Sequence, residues 1–101
     1  MRNNTHQRFE LGKIIISSQT QEYTHPQDVL KALLRHSRGD WGELDAIWRK
    51  RNDQALTGDP AGEVISEYRD RYDRYFFVVT NAARFETRVA LRHELNWSSD
   101  W

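Results

Sequence analysis

Apolar positions along this chain change their period three times, and each change predicts an element. The first eight positions, MRNNTHQR, are polar and predict a disordered N-terminal segment over residues 1–8. Phe9 to Ser18 follows, and its β-branched Ile14-Ile15-Ile16 run predicts a short strand, with Gly12 marking a bend before it. Residues 19–24 are polar and read as a loop. From Pro26 the period becomes helical: Val29, Leu30, Leu33 and Leu34 fall on one face. Thr24 or His25 stands at the N-cap, Pro26 at the first helical position and Asp28 near the positive end of the dipole. Gly39 is placed to take the left-handed conformation that ends this helix at Ser37 or Arg38. After Asp40-Trp41-Gly42, a second helix is expected from Glu43 to Leu56, capped by Asp40, with Leu44, Ile47, Trp48, Ala55 and Leu56 as its apolar stripe.

Thr57 to Gly62 breaks that helix, and the pattern turns to a period of two. Val64, Ser66 and Tyr68 oppose Ile65, Glu67 and Arg69 in one strand, and Tyr75 to Thr80 is apolar on both faces, as a central strand would be. In the last strand Phe85, Thr87, Val89 and Leu91 share a side. The expectation is an α+β fold of order β-α-α-β-β-β, a small antiparallel sheet with two helices on one face. It forms a single domain over residues 9–95, followed by a C-terminal tail over residues 96–101. Of the two tail tryptophans, Trp97 is close enough to the last strand to join the fold, whereas burying Trp101 would carry Asp100 and a carboxylate with it. Trp101 is therefore assigned to solvent or to a partner.

A mean hydropathy of −0.89 is low for a globular chain, but 12% aromatic residues, four Trp among them, argue for a packed core. Fifteen basic residues balance fifteen acidic ones, which disfavours both a general nucleic-acid binder and an acidic mimic of DNA. Only Lys13, Lys31 and Lys50 of the basic set are Lys, and Arg suits planar two-point contacts to carboxylate or phosphate, unless it merely laces a solvated surface. Cys is absent, so there is neither a disulfide framework nor thiolate chemistry. The start of the chain lacks a signal-peptide core, and its apolar runs are too short for a bilayer, so a cytoplasmic setting is expected.

Candidate chemistry is sparse. His6, His25, His36 and His93 lack metal-ligand spacing, and neither a phosphate loop, a dinucleotide fingerprint nor a nucleophile elbow occurs. Ser17, Ser18 and Ser66 have no evident base partner in the sequence. No metal, cofactor or catalytic residue is expected. The densest segment is Leu34 to Gly42, where two glycines around Asp40-Trp41 fix a sharp corner. Two readings compete there. In one, Trp41 plugs the core, Asp40 caps the next helix and His36 bonds the corner. In the other, Trp41 and His36 are partly exposed and form a recognition surface.

The run RHSRGDWG, then Asn52 with Ala55-Leu56, then Ile65-Ser66-Glu67-Tyr68, resembles a family of short uncharacterised proteins carried on plasmids and related mobile elements. Its closing segment, near TEADRSxTTxLLPEEY, is matched by Thr80, Ala82, Arg84, Thr87, Leu91 and Glu94. Asn81 and Ala83 replace its two acidic residues, and Arg92 replaces its Pro. The resemblance covers about residues 9–95 and implies a bacterial mobile-element or phage setting, with no established activity.

Two functions follow as expectations. The first is a non-catalytic protein-binding or regulatory protein, for instance an inhibitor of a host defence complex, with His36, Asp40, Trp41, Arg84 and Trp101 as partner-binding residues. Its partner would be a host or element-encoded protein; a small homo-oligomer is compatible, and nucleic acid is not favoured. The alternative is a ribosome-dependent ribonuclease toxin, whose element order is similar. Arg69, Arg71, Tyr72, Arg92 and His93 would then stabilise the reacting phosphate.

Overall fold

A computed structural model describes residues 7–95. The strands are β1 (Lys13–Ile16), β2 (Val64–Arg69), β3 (Tyr75–Thr80) and β4 (Glu86–Ala90), and the helices are α1 (Ser18–Tyr23), α2 (Pro26–Ser37) and α3 (Ala46–Thr57). A 3₁₀ turn at Arg92–Glu94 follows β4. The fold is α+β, with helices packed on one small sheet ordered β1-β4-β3-β2. Trp97 and Trp101 lie outside the described residues.

Three details of topology and helix bounds differ from expectation, and one of packing. The sheet is mixed, because β1 runs parallel to β4 while the β2–β3 and β3–β4 pairs are antiparallel. The order is β-α-α-α-β-β-β, because the polar stretch after β1 is helical rather than a loop. Hydroxyls hold α1 where apolar residues do not: Ser17 caps Thr20 N–H at 3.0 Å, and Thr24 Oγ1 donates to Thr20 O at 2.7 Å. No apolar period announces such a helix. Finally, α3 begins at Ala46 and is capped by Asp45, not Asp40. The residues between are drawn into extended contact with β2. Of its expected stripe, Leu44 is buried before the helix begins, while Ile47 is 71% exposed and Asn52 is the buried anchor.

Alternation sorts the sheet side chains onto two faces. On one, α2 lays Val29, Ala32 and Leu33 against Tyr68, Phe76, Val78, Val89 and Leu91. On the other, Ile65, Phe77 and Val79 form a second cluster with Leu44, joined by the half-buried Trp48 and Leu56 of α3. The helices therefore divide between two clusters instead of sharing one face. Each fully buried Val, Leu or Phe is worth roughly 1.5–3 kcal/mol, so both clusters are needed in a chain this short.

The β2 edge is closed without a further strand. Trp41 O accepts from Glu67 N–H at 3.3 Å and Glu43 N–H donates to Glu67 O at 2.7 Å, so the corner bridges β2. Two residues earlier, Asn52 Nδ2 donates to Ile65 O at 2.7 Å and its Oδ1 accepts from Ile65 N–H at 3.0 Å. One side-chain amide thus replaces one residue of a neighbouring strand.

The helix-ending expectation at Gly39 holds. Gly39 has φ of 83°, its N–H donates to His36 O at 3.0 Å, and Asp40 N–H donates to Arg35 O at 2.9 Å. This is the paired closure that needs a left-handed residue. A Cβ at Gly39 would meet only the flexible end of Arg8, whereas one at Gly42, also left-handed, would meet the backbone of Glu67 and the Tyr68 ring. Gly39→Ala should therefore cost about 1 kcal/mol in urea unfolding, and Gly42→Ala clearly more. Equal losses would show that contact with β2 does not shape the corner.

Candidate functional site

His36 and Trp41 are interior, only 0% and 5% exposed, so the corner is not the open recognition surface that one reading expected. His36 is reached from four directions. Its Nδ1 makes a short hydrogen bond with Ser66 Oγ, and its Nε2 lies 2.9 Å from Thr80 Oγ1. Thr80 Oγ1 is 2.7 Å from Thr87 Oγ1, which donates to Leu11 O at 2.6 Å. Phe9 and Trp41 meet the imidazole edge-on, with ring centroids at 5.2 and 5.7 Å.

The last bond sets the direction of the whole chain. Thr87 spends its proton on a carbonyl, so Thr80 must donate to Thr87 and accept from His36. Nε2 therefore carries the imidazole proton, and Nδ1 accepts from Ser66. Ser66 does have a base partner, 30 residues away in sequence, which spacing alone did not reveal. Both are sealed from solvent, so the pair is a structural polar core.

Asp40 is at the surface, but it is occupied. Its carboxylate accepts from Arg35 at 2.8 and 3.2 Å and from Gly42 N–H at 3.1 Å, and its carbonyl accepts from Tyr68 OH at 2.6 Å. Arg35 is the largest cause holding the Asp40 carboxyl below its usual range. Arg84, itself left-handed at φ 63°, donates to Gly62 O at 2.6 Å, Asn81 O at 2.9 Å and Ala55 O at 3.3 Å. It braces two loops. Trp101 lies outside the described residues.

The open site is on the sheet face opposite α2. A groove of about 810 Å³ runs between α1 and the end of the sheet, lined by Glu22, Tyr23, Glu67, Tyr75, Arg92 and His93, among others. A hollow of about 220 Å³ adjoins it, sharing Glu67 and Arg92 and reaching Trp48 and Phe77. Arg92 lies over the Phe77 ring, 5.6 Å from its centroid, and Phe77 is the register partner of Glu67. Burial raises the Glu67 carboxyl, and Arg92 opposes that rise. His93 Nε2 is 2.7 Å from Gln19 Oε1 of α1, which fixes the ring at the rim.

Tyrosine and arginine crowd one end of this groove. Arg74 covers the Tyr23 ring at 4.7 Å and Tyr72 at 5.7 Å, and Arg69 covers Tyr75 at 5.8 Å. Arg74 also donates to Tyr23 O at 2.9 Å. Arg71, in contrast, is turned away and clamped on Asp28 through its Nε and Nη2, at 3.0 Å each. Of the alternative ribonuclease set, then, Arg92 and His93 reach the groove and Arg69 flanks it, while Arg71 does not. Glu67, Tyr23 and Tyr75 were missed as site residues. The alternation of β2, with Glu67 opposite the apolar Val64-Ser66-Tyr68 face, was the available signal for the first.

Among the described residues, no group of three His, Cys, Asp or Glu side chains could hold a metal ion, and no helix is long and apolar enough to cross a membrane. No family model, curated protein or solved structure matches this chain.

Burial, followed by the charge of Arg84, lowers the His36 pKa from 6.5 to about 3. The unfolded chain therefore binds a proton that the folded chain refuses between those values. The stability this neutral His contributes is complete above pH 6.5 and declines as pH falls toward 3. Urea unfolding at pH 7, 6 and 5 should show decreasing stability, and His36→Gln, though less stable at pH 7, should have a flatter profile. Parallel profiles would place the pH dependence elsewhere.

Proposed function

We propose that this protein is a non-catalytic binding module that engages another protein through the tyrosine–arginine end of the sheet groove. One observation carries the reading: Tyr23 and Tyr75, 44% and 45% exposed, stand at an open groove with Arg74 and Arg69 against their rings. Tyr and Arg are the residues on which protein interfaces concentrate their energy, since they offer large rigid surfaces with polar tips. The groove carries Glu22 and Glu67 alongside Arg92 and His93. That mixed field suits a protein surface better than a polyanion, whose binding draws on net positive charge. The sequence resemblance adds the setting, a bacterial mobile element or phage acting in the cytoplasm. There, an inhibitor of a host defence complex would work by covering a surface.

A second reading is favoured by the meeting of Glu67, Arg92 and His93 in one groove. A carboxylate, an imidazole and a guanidinium together could take a proton, return one and stabilise a phosphate, as RNA cleavage requires.

Two measurements separate these readings. Capture from a bacterial lysate should yield a partner with the wild type that Tyr75→Ala and Arg74→Ala lose, while their thermal midpoints stay near that of the wild type. Incubation with RNA, free and on translating ribosomes, should leave it intact. RNA cleavage abolished by Arg92→Ala or His93→Ala would replace the binding reading with the nuclease.

A further inference from the structure

The two edges of the sheet are treated in opposite ways. β2 is closed by the corner and by Asn52, whereas β1 forms the other edge. Lys13 N–H donates to Phe85 O at 2.9 Å and Ser17 N–H to Val89 O at 3.0 Å. With a period of two, the amides of Lys13, Ile15 and Ser17 turn toward β4, and those of Ile14 and Ile16 turn outward. Among the described residues, one contact reaches that outer row: the exposed Gln21 side chain donates to Ile16 O at 3.0 Å. Proteins usually blunt a bare edge with charge, Pro or a bulge. Here the protection is slight: β1 is four residues long and Lys13 is its one charge, while Ile14-Ile15-Ile16 carries neither charge, Pro nor bulge and Ile14 is 44% exposed.

α2 also leaves apolar residues exposed on one flank. Asp28, Lys31 and Arg35 line a hollow shared with Tyr68 to Arg71, so that side of the helix faces β2. Leu30 and Leu34 lie on the other side of the helix, at 61% and 53% exposure.

We propose that β1 is a self-pairing edge, through which two copies of this chain join antiparallel about a two-fold axis at Ile15. The match of side chains and charge argues for a second copy as the occupant. Centred on Ile15, the pairing sets Ile14 opposite Ile16 of the second copy, and the reverse. Their outward donors and acceptors then meet in the closely bonded pairs of an antiparallel ladder, the exposed Gln21 side chain giving up Ile16 O to the second copy's Ile14 N–H. The same register sets Lys13 opposite Ser17 of the second copy. Ser17 Oγ donates to Glu94 at 2.7 Å, so each Lys13 ammonium approaches a carboxylate, twice by symmetry. No like charges face one another in this register, and a net charge of zero adds no long-range repulsion between copies. The two four-stranded sheets become continuous.

Sedimentation from about 1 μM to about 500 μM, a range that spans weak self-association, should show monomer passing to dimer. Amide exchange read by NMR should slow at Ile14 and Ile16 as dimer forms and be fast in dilute protein. Ile14→Pro removes an outward donor and leaves the β4 ladder intact, so it should weaken association at least about tenfold with unchanged circular dichroism. Ile14→Lys, which places two charges at the interface, should do the same and serves if the Pro variant does not fold. Monomer throughout, including a strand edge reserved for a different chain, would overturn the proposal. So would a dimer whose Ile14 and Ile16 amides still exchange fast, or one that a folded edge variant leaves as tight as the wild type.

Discussion

The arrangement of this molecule depends on one neutral imidazole held where water does not reach. His36 sits at the end of α2 and bonds Ser66 of β2 on one side and Thr80 of β3 on the other, with Thr87 of β4 and the Leu11 carbonyl completing the chain. A helix, three strands and the segment before β1 are thus tied through five polar groups, each of which has a partner. A buried polar group without a partner costs on the order of 1–3 kcal/mol, so the chain of bonds is stable as a set and fragile at any member. Protonation would break its direction, because Nδ1 would have to donate to a hydroxyl that is already donating. Arg84, whose charge further disfavours the imidazolium, is itself held in place by the carbonyls of Ala55 in α3 and Gly62 in the loop after it.

The corner after α2 follows from the same constraint. With His36 fixed in the core, the chain must reverse within a few residues, and a left-handed Gly39 does this. The next residues then lie along β2 at hydrogen-bond distance, which requires a second glycine at 42 because the Glu67 carbonyl occupies the space of a Cβ. Trp41 packs against both Phe9 and the imidazole, and its indole N–H reaches Asp53 of α3 at 3.3 Å. The spacing from His36 through Gly42 to Asn52 is therefore a recipe for ending a helix and closing a sheet edge. A sequence signature this specific needs no chemistry to explain it.

What could be read from the chain follows from which interactions are local. The α2 cap, its apolar face, Gly39 and the three C-terminal strands are set by neighbours in sequence, and all were legible. α1 was not, since Thr20 and Thr24 are buried for their hydroxyls and give no apolar period. The start of α3 was displaced because Asp40 and Asp45 are equally good capping residues, and only the claim of β2 on Gly42 and Glu43 decides between them. The parallel pairing of β1 with β4 joins residues more than seventy positions apart and has no sequence signal. The candidate site is legible in part: Arg92 and His93 stand out by their chemistry, but the groove exists only once α1 and β2 flank them.

The preference for Arg over Lys takes on a different meaning beside this structure. Arg84 bonds three backbone carbonyls, Arg74 one on α1 and Arg49 that of Leu44, while Arg35 and Arg71 each clamp a carboxylate at two points. A guanidinium can tie two segments at once because its donors diverge in a plane, which a Lys ammonium does less well. In a chain without Cys, such forks are the available way to brace loops from outside a small core. Five of the fifteen basic residues are in this way engaged inside the molecule. Asp28 shows the result, its carboxyl held well below the usual range first by the Arg71 side chain and then by the Arg71 backbone N–H. The groove itself is mixed in sign, with Arg92 set against Glu22 and Glu67. What the groove offers is therefore shape and the faces of Tyr23 and Tyr75, not a long-range field.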